Sequence, residues 1–148
     1  MKVNGLVWGL VLGFFPLIAS AGWEIEQPEG TGVYGYWTSL ALNTTGYPRF
    51  VYRDGALGGN LRFVQRDQVG WSTSTVESGL EINGGHGSLA LTSAGTPLIS
   101  YNKTGVGLRV AQPAAGGGWS INTVDSAGGL YTSLKVSSTG TVFVSYFL

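Results

Sequence analysis

The dipeptide Gly-Trp occurs three times at a spacing of 48 residues, at Gly22-Trp23, Gly70-Trp71 and Gly118-Trp119, and each pair opens the same series of short apolar segments. A period of this length restricts the fold strongly, because it calls for one supersecondary unit that is copied and stacked on its neighbours. After each Gly-Trp comes a run ending at Pro28, Val76 or Val124, then a variable Gly-rich stretch. Next is Ser39-Leu40-Ala41-Leu42, matched by Ser88-Leu89-Ala90-Leu91 and Ser133-Leu134-Lys135-Val136. Gly46, Gly95 or Gly140 follows at a place where a hairpin needs positive φ. A second apolar strand completes the match at Phe50-Val51-Tyr52, Ile99-Ser100-Tyr101 and Val144-Ser145-Tyr146. Two copies add a further strand, Leu61-Arg62-Phe63-Val64 and Leu108-Arg109-Val110-Ala111, which the third copy does not reach.

Residues 1–21 read as an export signal: Lys2 gives a positive start, Gly5 to Ile18 an apolar stretch, and Ala19-Ser20-Ala21 a small-residue cleavage pattern. The apolar stretch is shorter than the ~20 residues of a spanning helix, so the expectation is a secreted or periplasmic chain with no membrane anchor after cleavage. The chain has no cysteine, so an apolar core and not disulfides must hold the exported part together. Without Lys2, seven basic residues face eight acidic ones with no run of like charge, which argues against nucleic-acid binding.

Apolar residues beyond residue 21 alternate with period two, as in Leu40/Leu42, Leu89/Leu91, Phe50/Tyr52 and Ile99/Tyr101. The expected fold is therefore all-β: β-propeller blades of short antiparallel strands, about two and a half repeats of an incomplete ring, over residues 22–69, 70–117 and 118–148. A β-sandwich fits the internal repeat poorly, and a parallel β-helix has shorter rungs. The small, apolar strands suit the crowded centre and the Trp-led strands the periphery. That phasing makes Ser39 to Val76 one blade, Ser88 to Val124 the next and Ser133 to Leu148 the inner half of a third. Trp23 to Gln27 would be an outer strand of a preceding blade. Closed propellers use about four to eight blades, so the chain is expected to be part of a longer protein, a homo-oligomer that completes a ring, or an open monomer.

The order Gly-Trp-Ser-x-x-x-Val, Ser-Leu-Ala-Leu-x-x-x-Gly-x-Pro-x-Ile-Ser-Tyr, Leu-Arg-Val-Ala resembles the repeats of secreted sialidase-like, or BNR-like, propeller proteins across nearly all of Gly22 to Leu148. The resemblance implies a fold and not an activity, since that group includes glycosidases, lyases and lectins. The turns Thr92-Ser93-Ala94-Gly95 and Ser137-Ser138-Thr139-Gly140 lack the aspartate and tryptophan of the sialidase Asp-box, Ser-x-Asp-x-Gly-x-Thr-Trp. No sialidase identity follows.

His86, the only histidine, stands in register with Trp37 and Tyr131, two residues before Ser88, Ser39 and Ser133. Equivalent points at the mouth of a central channel would give either loop packing or a stacking surface for sugar rings. Trp71 and Trp119, with Trp23, are either sugar-stacking groups between blades or structural anchors. Arg62 and Arg109 repeat in register and are expected to form ion pairs with Asp54, Asp67 or Glu77, or to hold an acidic sugar. Arg49, Arg53 and Arg66 occur in the first copy alone. Glu77, Glu81 and Asp125 have no spacing that marks an acid/base pair. No catalytic residue, metal site or cofactor is expected. The resulting expectation is a non-catalytic scaffold for glycan or protein, the alternatives being a fragment of a propeller glycosidase or polysaccharide lyase, or a truncated product with no function of its own.

Overall fold

The computed structural model describes residues 25–29, 35–55, 59–80 and 85–148. The segment read as an export signal, Trp23 and Glu81 lie outside the described residues. Ten antiparallel strands and no helix occur among those described. The first sheet runs β1 (Tyr36–Leu42), β2 (Pro48–Arg53), β3 (Asn60–Arg66), β4 (Trp71–Ser78) in that order. The second repeats it with β5 (Ser88–Leu91), β6 (Pro97–Lys103), β7 (Gly107–Pro113), β8 (Trp119–Asp125). A third, two-stranded sheet pairs β9 (Leu130–Val136) with β10 (Val142–Phe147). These boundaries follow the phasing read from the sequence. Residues 25–27, however, are not in a strand.

The turn glycines adopt the conformation the repeat requires: φ is 83° at Gly46, 79° at Gly95 and 85° at Gly140. An L side chain is disfavoured there, so glycine closes each β1–β2, β5–β6 and β9–β10 loop without strain. Each loop is also held by a side-chain oxygen, with Tyr47 N donating to Asn43 Oδ1, Thr96 N to Thr92 Oγ1 and Thr141 N to Ser137 Oγ. Three different side chains supply one acceptor at one place.

The sheets pack in series through their faces. Val51, Leu61, Phe63, Val76 and Leu80 from the first meet Leu89, Ile99, Tyr101 and Ala111 from the second in one buried cluster. β9 packs against β5 and β6 on the other side, burying Leu134. The first strands β1, β5 and β9 are successive neighbours, whereas the Trp-led β4 and β8 form the far edges.

Two polar links recur at the seams. Leu89 N donates to Ser39 Oγ at 3.0 Å, and Leu134 N to Ser88 Oγ at 2.9 Å, so the serine of one sheet caps the edge strand of the next. The second link is a carboxylate clasp. Glu77 accepts from Tyr101 Oη, from Lys103 Nζ at 2.7 Å and from Arg109 Nη1. Glu29 accepts from Tyr52 Oη and from Arg62 Nη2 at 3.0 Å. Asp125 accepts from Tyr146 Oη at 2.6 Å. Glu29, Glu77 and Asp125 are themselves 48 residues apart. At both described seams that follow an outer strand, a bulge precedes the carboxylate, at Val76 opposite Leu61/Arg62 and at Val124 opposite Leu108/Arg109. A bulge re-aims the strand end, here toward the neighbouring sheet.

Of the partners expected for the arginines, Glu77 takes Arg109. Asp54 instead accepts from Asn60 N and Nδ2, and Asp67 from Val69 N and Gly70 N. Both hold local turns, and Glu29 takes Arg62 in their place.

Position in the series decides what a repeated residue contributes. Leu89 and Leu134 are buried, at 5% and 1% exposed, but the register-equivalent Leu40 is 63% exposed on the outer face of the first sheet. Leu89→Ala and Leu134→Ala should each destabilise by about 2–5 kcal/mol, and Leu40→Ala by less than about 1 kcal/mol, in urea unfolding of the three variants. Equal losses at all three would show that the outer face of the first sheet is covered.

Burial tends to raise the Glu77 pKa, but hydrogen bonds from Lys103 and Tyr101 and the charge of Arg109 outweigh it and hold the carboxyl below its usual 4.5. A depressed folded-state pKa contributes stability that is present above the unfolded value and lost as pH falls through the folded one. Denaturation midpoints should therefore hold above pH 4.5 and decline below it. Glu77→Ala should cost about 3 kcal/mol at neutral pH, because it strands two cations at a seam, and should flatten the acid-side decline.

Candidate functional site

Trp37 of β1, Tyr131 of β9 and His86, two residues before β5, form one row. The centroids of Trp37 and His86 are 4.3 Å apart and those of His86 and Tyr131 4.5 Å, with interplanar angles of 43° and 53°. His86 is thus flanked by a ring on each side. Its Nδ1 is buried with no hydrogen-bond partner among the described residues. Burial holds its pKa below the usual 6.5, so the imidazole is neutral at pH 7.

The outer two members are held in an unusual backbone. Trp37 and Tyr131 have φ of 53° and 51°, and they are the positive-φ residues other than glycine among those described. A left-handed conformation costs an L residue roughly 1–2 kcal/mol, most plainly a bulky one, so the surrounding structure must enforce it. The enforcement is visible: pairing is regular from Ser39/Val51 and Ser133/Ser145 onward, and a bulge interrupts it on the side toward Tyr36 and Leu130. Bulge and left-handed residue together turn each ring toward His86. In the second sheet the left-handed residue is Gly85, at φ 89°, one position earlier. Thr132 adds a tie below the rings, donating from Oγ1 to His86 O at 2.9 Å and accepting from Ser100 Oγ at 3.0 Å. Tyr131 remains 68% exposed and Trp37 38%, so the row presents aromatic surface to solvent at both ends.

Arg53 belongs to this site although nothing in the repeat marks it. Its guanidinium lies 5.6 Å from the Trp37 ring centroid, and the residue is 6% exposed. A hint was present in the sequence: Arg53 follows Tyr52 where the other copies have Asn102 after Tyr101 and Phe147 after Tyr146.

The repeated tryptophans lie elsewhere. Trp119 packs edge-on against Phe63 at 5.2 Å and donates from Nε1 to Ser74 Oγ at 3.3 Å, bridging the second sheet to the first. It walls a 260 Å³ groove that also takes in Gln65 and Ser72. Trp71 meets Phe50 edge-on at 5.8 Å, carries Arg66 over its ring and donates from Nε1 to Glu26 at 2.6 Å. The structure therefore separates the five candidate residues into a three-ring row and two tryptophans at the opposite edges of the sheets. Among the described residues no three His, Asp or Glu side chains come together as metal ligands.

A proton NMR titration of the single histidine should give a midpoint below 6.5, and Tyr131→Ala should raise it by uncovering one ring face. An unchanged midpoint in that variant would assign the desolvation to other neighbours. Comparison with known proteins gives no match for this chain, whether to a family model, a curated protein or a solved structure.

Proposed function

We propose that the three sheets are successive blades of a β-propeller, and that the chain is a secreted, non-catalytic scaffold holding a glycan against the ring row at the inner-strand ends. The observation that carries this reading is the row itself. Two of its three rings are set by strained backbone, and strain of this kind collects where a surface is shaped for contact with a ligand. Aromatic faces with few rotatable bonds suit a sugar ring, which offers C–H groups to stack and hydroxyls to bond. Glu77 and Asp125 are already engaged at the seams, which favours binding over acid/base chemistry.

The propeller reading is supported by the four-stranded meanders in series, with their first strands side by side. It also gives the outer faces a role. Leu40 and Leu42 on the first sheet and Phe143 and Phe147 on the third are exposed where the equivalent inner faces are packed. We assign these faces to further sheets of the same kind, supplied by a second copy that completes a ring.

Intrinsic tryptophan fluorescence of the full chain, titrated with neutral and acidic oligosaccharides, tests the binding. Saturable quenching should weaken about tenfold or more in Trp37→Ala and Tyr131→Ala, since each removes a stacking face. Trp119→Ala should chiefly lower thermal stability. Binding lost only in Trp119→Ala would move the site to the groove, and no binding of any glycan by the folded chain would refute the reading.

A further inference from the structure

The third sheet has an open edge. β3 and β7 pair along the sides of β2 and β6 that face away from β1 and β5, but β10, the corresponding strand of the third sheet, pairs with β9 alone among the described residues. Its sequence, Val142-Phe143-Val144-Ser145-Tyr146-Phe147, has no charge and no proline. Charged residues and proline are what normally discourage pairing at a free edge, so β10 offers its backbone N–H and C=O groups to an extended chain that fits.

The other two sheets define what fits. Arg62 stands directly opposite Tyr52 across the β2–β3 pair, and Arg109 opposite Tyr101 across β6–β7. In each case tyrosine and arginine converge on one carboxylate, Glu29 for the first pair and Glu77 for the second. The third clasp has a tyrosine and no cation. Asp125 accepts from Tyr146 Oη at 2.6 Å and from Ala127 N at 2.8 Å, and none of the four ion pairs among the described residues includes it. Exposure differs in the same sense: Tyr52 and Tyr101 are 3% and 0% exposed, whereas Tyr146 is 38% exposed. Tyr146 faces Asp125 of the second sheet, so its exposure belongs to the open edge and not to the outer face of the third sheet.

We propose that the open edge of β10 is a docking site for an extended, arginine-bearing segment of another polypeptide, added as an antiparallel strand with its arginine opposite Tyr146 and its guanidinium on Asp125. The pattern it should carry is the one β3 and β7 share, Leu-Arg followed by two apolar residues. Backbone hydrogen bonds to the edge supply affinity in this mode of recognition. The arginine sets the register, since its planar fork matches a carboxylate and a slip of one residue would turn it to the other face of the sheet. β3 and β7 are themselves paired on both sides, so a second copy has no described strand of this kind to lend. The site is defined by the repeat register and is independent of the glycan reading.

A fluorescein-labelled peptide of the β7 sequence, Gly107 to Pro113, is titrated with the full chain and followed by fluorescence anisotropy. It should bind saturably, and about tenfold more tightly than the same peptide carrying Arg109→Gln. A peptide with Arg109 and Val110 exchanged keeps the composition and should bind no better than the glutamine form. In the chain, Asp125→Asn should abolish the preference for arginine while leaving binding of the glutamine peptide unchanged. Equal binding of the three peptides, or no binding of any, would overturn the assignment. Peptide binding that appears only when the chain is diluted to a monomer, as read by light scattering, would give the edge to a second copy and overturn it as well. Should Asp125→Asn lose its β circular dichroism, the three peptides on the native chain decide.

Discussion

Everything in this molecule depends on the burial of sheet faces against one another. A meander of seven-residue strands cannot bury both of its faces alone, and burial of one Leu, Ile or Val side chain contributes about 1.5–3 kcal/mol. The first and second sheets join in one cluster from Val51 to Ala111, and the third closes over Leu134. Apolar contact has little directional preference, so the polar links fix the order and offset of the sheets. The serine caps set how far one first strand stands from the next, and the carboxylate clasps hold the opposite ends.

Much of this was legible in the sequence because it repeats. The turn glycines, the strand order and the phase of the sheets follow from aligning three copies, since each copy meets the same steric requirement at the same place. The pairing of Arg62 was harder to read. Its partner Glu29 lies 33 residues earlier, and the two acids nearest in sequence, Asp67 and Asp54, are drawn off by the backbone amides of Val69, Gly70 and Asn60. Glu29 could have been found by extending the 48-residue register from Glu77 backwards, which treats charge as a repeated feature in its own right.

The site was legible only in part. Register alone placed Trp37, His86 and Tyr131 at equivalent points, yet equivalence of position does not imply contact. Contact arises from two left-handed residues and two bulges, and a bulky aromatic gives no local sign that it will adopt φ near 50°. Arg53 was hidden for the opposite reason. A pattern of repeats directs attention to what recurs, and this residue matters because it does not.

The ring row crosses both seams, and that has a mechanical meaning. In an array coupled through nearest neighbours, the end unit opens most easily, and the two-stranded third sheet packs through β9 on β5 and β6 of the second. Tyr131 travels with it. A molecule lying across the row would touch Trp37 of the first sheet and Tyr131 of the third at once and add a direct coupling between them. Occupancy would then act as a brace, slowing the fraying of the terminal unit and turning a chain of pairwise contacts into a single cooperative body.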